Sequence, residues 1–151
     1  MHEDKTESQM RAASILLALE MALADLYPGQ VSGVGTLWNR KITVWLNDLE
    51  DMVIDFSSTE GIRARIIRSE KTSGSGDSRA LEGDLQMPLN ADMDKIHAFI
   101  NDLIVDTAYV VNINPKQLVH KIADVAADTS RMKQAFANLD GVTAPNLFKP
   151  A

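Results

Sequence analysis

The sequence predicts a single α+β domain over residues 1–151. A four- to five-stranded, mostly antiparallel sheet is packed by two long helices and one shorter helix. Three observations carry this expectation. A long helical run opens the chain. Segments that alternate apolar and polar residues fill its middle. A capped apolar repeat of helical period follows Asn114. A chain of this length buries roughly 70% of its unfolded surface. With 45% hydrophobic residues and no cysteine, it calls on neither disulfides nor a thiolate metal site to fold.

The first helix is expected over Thr6 to Leu26. Thr6 can cap it, with Gln9 at the capping-box position. Pro28-Gly29 ends it. From Met10 to Leu26, 13 of 17 positions are apolar when alanine is counted. A helix resting on one surface needs only a stripe on one side. This one must be sandwiched, within its own fold or between subunits. Gly29 to Gly35 reads as a flexible glycine-rich connection. A phosphate loop follows a strand and opens a helix, whereas these glycines follow a helix and no Gly-Lys-Ser/Thr is present.

Four strand candidates come next: Leu37 to Asn47, Met52 to Ser57, Gly61 to Ser69 and Arg79 to Met87. Their alternation, with one polar face, suits a meander with one side wet. Glu70 to Ser78 is all polar or glycine and reads as a mobile hairpin loop. After Pro88 a second helix, capped by Asn90 or Asp92, carries Met93, Ile96, Phe99, Ile100, Leu103 and Ile104 on one face. Tyr109 to Ile113 suggests a short strand, with continued helix as the alternative.

The third helix has Asn114 as N-cap, Pro115 at its first position and Gln117 at the capping-box site. Leu118, Ile122, Val125, Thr129, Met132, Phe136 and Leu139 form a heptad seam up to Gly141. About 25 residues of helix span roughly 37 Å, against a sheet about 19 Å wide and strands about 26 Å long. The seam should therefore overhang its own sheet. Leu118, Ile122, Val125, Met132, Phe136 and Leu139 then become interface candidates, and a twofold homodimer is the expected assembly. Residues 1–5 and 142–151 are expected to be flexible tails.

The chemistry is sparse. With 15 basic and 21 acidic residues, net −6, the chain repels phosphate and argues against nucleic acid as a partner. No apolar run reaches the ~20 residues of a membrane span, and the first residues lack a basic secretory n-region. A cytoplasmic protein without a membrane partner is the expectation. There is no Gly-x-Ser-x-Gly elbow and no thiol. His97 and His120, with Asp94 or Asp124, are the only histidine constellation, and they read more simply as half-buried helix residues. Asp48, Glu50 and Asp51 crowd one turn without the spacing of a calcium loop. No cofactor or metal is called for.

The basic cluster departs from the overall charge. Arg63, Arg65, Arg68, Lys71 and Arg79 face only Glu70 and Asp77 between Gly61 and Arg79. Guanidinium forks bind carboxylate or phosphate bidentately. These residues are candidates to receive an anion or an acidic partner. The plainer alternative is a wet sheet face whose arginines pair with Asp55, Glu82 or Asp84. Trp45 falls opposite Ile42, Val44 and Leu46 and is a candidate interface anchor.

Together these residues suggest a non-enzymatic protein–protein interaction module, of adaptor, chaperone-like or inhibitor type. It would pair with itself and with another protein. A domain that binds a nucleotide or another small anionic ligand through Arg63, Arg65 and Arg68 is the alternative. A small hydrolase-like enzyme ranks third.

Overall fold

A computed structural model of the chain describes residues 2–57, 61–68, 78–80, 86–87 and 92–139. It shows the expected α+β arrangement, with all strands antiparallel and four helices rather than three.

Helix α1 (His2–Leu26) starts four residues before Thr6, so the backbone from His2 on is helical where a tail was expected. Ala12, Ala13, Leu16, Leu17, Ala18, Leu19, Ala22 and Leu23 are all buried. These positions lie around most of the helix. α1 is accordingly wedged inside its own fold, against the sheet at β1 (Val31–Gly35) and against two later helices.

The sheet runs in the order β1, β2 (Asn39–Trp45), β3 (Glu50–Ser57), β4 (Gly61–Arg68), β5 (Ser78–Ala80), with β6 (Gln86–Met87) also on β4. The fourth expected strand, Arg79 to Met87, is thus two short pieces against one neighbour. The loop expected at Glu70 to Ser78 lies outside the described residues up to Asp77, and Ser78 heads β5. Ile42, Val44, Met52, Ile54, Phe56, Ile62, Ala64 and Ile66 line the inner face and form one core with the helices. Trp38 tilts over Phe56 with ring centroids 6.5 Å apart.

β1 corrects the reading of Gly29 to Gly35 as a connection. Val31 to Gly35 pairs residue for residue with Val44 to Arg40. Gly35 has φ 102°, and a Cβ there would run into the Asn39 carbonyl, so the hairpin requires glycine. The next connection is an Asx turn. Asn47 Oδ1 accepts from the amides of Leu49 (2.7 Å) and Glu50 (3.0 Å). It gives the acidic turn a structural explanation.

Helix α2 (Met93–Val110) is capped by Asp92, whose carboxylate accepts from the Lys95 amide at 2.9 Å. It continues through Tyr109, so the expected strand at Tyr109 to Ile113 does not form. The helix closes instead with Asn112 in the left-handed region (φ 61°) and Ile113 N donating to Ala108 O at 2.8 Å. That is the glycine-type helix stop, filled by asparagine. The local preference of Tyr-Val-Val for strand loses to it. Tyr27 ties this end down, its hydroxyl donating to Val111 O at 3.0 Å.

The expected 25-residue third helix is two helices, α3 (Pro115–Ala127) and α4 (Thr129–Asn138). Asp128, at φ −80° and ψ 85°, leaves the helical region and caps α4 by accepting from the Arg131 amide at 3.1 Å. The break keeps the apolar phase. Leu118, Ile122, Val125, Met132 and Phe136 are all buried inside this one chain, and Leu139 packs half-buried on the same core. The overhang that made these six interface candidates does not exist. They are core residues, and the argument for a homodimer built on them lapses. Gly141 and the expected tail at 142–151 lie outside the described residues.

Two ion-pair clamps fasten the layers. Arg131 grips both oxygens of Asp25 at 2.7 Å each, and Lys121 Nζ adds a contact at 3.4 Å. They join the end of α1 to α3 and α4. The Arg131 hydrogen bonds hold the Asp25 carboxyl below the usual carboxylate range and raise the guanidinium in turn. Among the described residues, no single helix is long and apolar enough to cross a membrane.

A cationic cleft on the outer sheet face

Strand alternation sends every second residue to the face turned away from the helices. Across the strands the register sets Val34 beside Lys41, Lys41 beside Asp55, and Asp55 beside Arg63. The next row holds Ser32, Thr43, Val53 and Arg65. Ser32, Val34, Lys41, Trp45 and Arg63 are exposed there, while Val53 is buried.

A cleft of about 640 Å³ opens at the end of this face near the β1–β2 hairpin, lined by Val34, Gly35, Asn39, Lys41, Asp55, Ser57, Gly61 and Arg63, with Arg40 and Phe56 behind. Its charges are distinct in state. Arg40 is spoken for: its Nε and Nη2 donate to Glu20 Oε1 and Oε2 at 2.6 and 2.8 Å, and its Nη1 to Gly35 O at 2.7 Å. The pair is only 13% exposed on each side. Hydrogen bonding to Glu20 raises the Arg40 guanidinium further above neutrality. Asp55 has Arg65 Nη2 at 3.5 Å from Oδ2. Lys41 and Arg63 are exposed and, among the described residues, carry no ion pair.

Gly33 completes the local explanation. A Cβ there would collide with the Glu20 carboxylate and the Arg40 guanidinium. The Gly33-Val34-Gly35 motif therefore serves a half-buried ion pair on one side and a tight hairpin on the other.

The candidate basic residues do not gather as one group. Arg63 and Arg65 share the outer face. Arg68 stands opposite Glu50 and Arg79 opposite Ile66, register positions that alternate with those of Arg63 and Arg65. Lys71, Glu82 and Asp84 lie outside the described residues. The expected trio Arg63, Arg65 and Arg68 is therefore replaced by Lys41, Arg63 and Arg65. Lys41 lies outside the basic run of Gly61 to Arg79, and its alternation with Ile42 and Val44 is the sequence signal that puts it on the wet face.

Trp45 lies on the outer face at 37% exposure, with its indole N–H donating to Asn47 O. It borders a small gap of about 150 Å³ with Tyr27, Gln30 and Val111, apart from the cleft. His97 on α2 is half-buried and His120 on α3 exposed, and neither lines the cleft. Among the described residues, no group of three His, Cys, Asp or Glu side chains is placed to hold a metal ion.

An open cleft with two unpaired cations can attract and orient carboxylates or phosphates. Comparison with known protein families, curated proteins and solved structures returned no match.

Proposed function

We propose that this chain is a non-catalytic interaction module that takes up an acidic segment of another protein on the outer face of its sheet. The observation that carries the reading is the exposed pair Lys41 and Arg63. They stand across Asp55 in one cleft, without ion pairs among the described residues, in a chain of net charge −6. Here the neighbouring guanidinium, Arg40, is already neutralised by Glu20, and Asp55 is shared with Arg65. The local excess of positive charge is left for a partner. The cleft is half-open to solvent and its lining is about as polar as it is apolar, whereas small-molecule sites are enclosed and mostly apolar. That favours a solvated, extended partner over a nucleotide.

The test is an anisotropy titration with a fluorescein-labelled hexaglutamate peptide. The chain should bind it, more weakly at 200 than at 50 mM salt. Lys41→Glu with Arg63→Glu should weaken binding at least about tenfold, with an unchanged circular dichroism spectrum. Equal binding by the double variant would remove the cleft from the reading.

A further inference from the structure

β1 is a sheet edge. The ladder between β1 and β2 fixes which of its backbone groups are used. Trp45 N donates to Gln30 O at 2.8 Å and Thr36 N to Asn39 O at 3.1 Å, so the hydrogen-bonded pairs fall on Gln30, Ser32, Val34 and Thr36. The alternate residues Val31, Gly33 and Gly35 turn their backbone groups away from the sheet. Gly35 O already accepts from Arg40 Nη1. Among the described residues, the outward N–H and C=O of Val31 and Gly33 have no partner.

Edges of this kind are normally blunted by lysine, proline, inward charges or a bulge. The β1 sequence, Val-Ser-Gly-Val-Gly, has none of these. Its backbone hydrogen-bonding groups repeat at the two-residue spacing that an added strand needs.

Charge selects the occupant. Lys41 stands directly across Val34, one strand in from the edge. A residue added beside Val34 on the outer face would lie two strand spacings, about 9.6 Å, from the Lys41 backbone. A glutamate and a lysine side chain together span that distance. Residues at alternate positions of the added strand share this face. A second copy of β1 would bring no acid to Lys41, and a twofold pairing would set the two Lys41 rows toward each other.

We infer that the outer edge of β1 is a strand-addition site for an extended segment of another protein that carries acidic residues at alternate positions. The inference rests on the acid-receiving reading of the outer face and adds to it the backbone mode of capture.

The experiment uses a labelled heptapeptide with glutamate at alternate positions between threonines, titrated into the full chain. Two isomers carry three N-methyl groups each, one on the glutamate nitrogens and one on the nitrogens of the last three threonines. Both keep the charge, but only one set of nitrogens can face β1. One isomer should lose binding at least about tenfold while the other keeps it. The Val31 and Gly33 amides should exchange more slowly in the complex. If both isomers bind like the parent peptide, strand addition is overturned while the acid-receiving face stands. If the parent peptide fails to bind while hexaglutamate binds, strand addition is overturned and the acid-receiving face stands; if neither binds, both fall. If the two amides are already protected in the free protein, increasingly with its concentration, the edge belongs to a second copy and the inference is overturned.

Discussion

Replacing Gly33 with alanine should change sign with the residue at position 20 on α1, which packs against it. A Cβ on Gly33 would lie 2.6 Å from Glu20 Cδ and 2.5 Å from Arg40 Nη2, where ordinary contact begins at 3.4 Å. The fork must give way by about 0.9 Å at Arg40 Nη2 and by more at Glu20 Oε2, the nearest atom, beyond what hydrogen bonds of 2.6 and 2.8 Å can absorb. Disrupting two charge-assisted bonds in a half-buried pair costs about 2 kcal/mol. The φ of Gly33 lies outside the left-handed region, so alanine also restricts the unfolded chain, a gain of about 0.4–1 kcal/mol. The net expectation is a loss of about 1–1.5 kcal/mol. In a Glu20→Ala background the carboxylate is gone and Arg40 Nη2 is free to swing out. The same Gly33→Ala change should then stabilise by a few tenths of a kcal/mol up to about 1. Urea denaturation of the four proteins measures the cycle, and melting temperatures should follow at about 2–4 °C per kcal/mol. An equal loss from Gly33→Ala in both backgrounds would refute the idea that glycine is there to make room for the ion pair.

Two further outcomes follow from the packing and the clamps. Phe136→Ala empties a fully buried site on α4 and should cost about 3–5 kcal/mol. Its effect should be independent of protein concentration, and a concentration-dependent loss would return Phe136 to an interface. Asp25→Asn should destabilise at neutral pH. Because the folded carboxyl is held below its ordinary value, chiefly by the Arg131 hydrogen bonds, its contribution is complete above about pH 3.9 and fades as pH falls through the lowered value. The gap in urea midpoint between wild type and Asp25→Asn should therefore narrow below about pH 3.9; a gap that stays constant from pH 7 to about pH 2 refutes the clamp.

The α+β layout was legible because burial writes itself into periodicity. Ile42 and Val44 alternate with Lys41 and Thr43, and α1 lacks a polar side because it has no wet side. The break at Asp128 was hidden by the same signal. The cap turns the chain without shifting the apolar phase, so Val125 and Met132 read as one seam across it. The cue that separates the helices is chemical: an aspartate followed by Thr-Ser, able to accept a backbone amide three residues on. β1 was illegible for another reason. Its glycines make it look like a linker, and only the partner strand and the ion pair beneath Gly33 give it form. The cationic site was half legible. Arg63 and Arg65 stood out by composition, but Lys41 joins them only through strand register. No spacing in the chain announces that Glu20 has already claimed Arg40.

The wedge-like burial of α1 bears on how the chain is made. Its apolar flanks wait for α3, which begins roughly 90 residues later, or about 5–20 s of synthesis at cellular elongation rates. Until then the helix is an adhesive rod with half its groove missing. A nascent chain of this design invites a holding chaperone at its first 26 residues, and truncations ahead of Pro115 should collect in the insoluble fraction rather than fold in part.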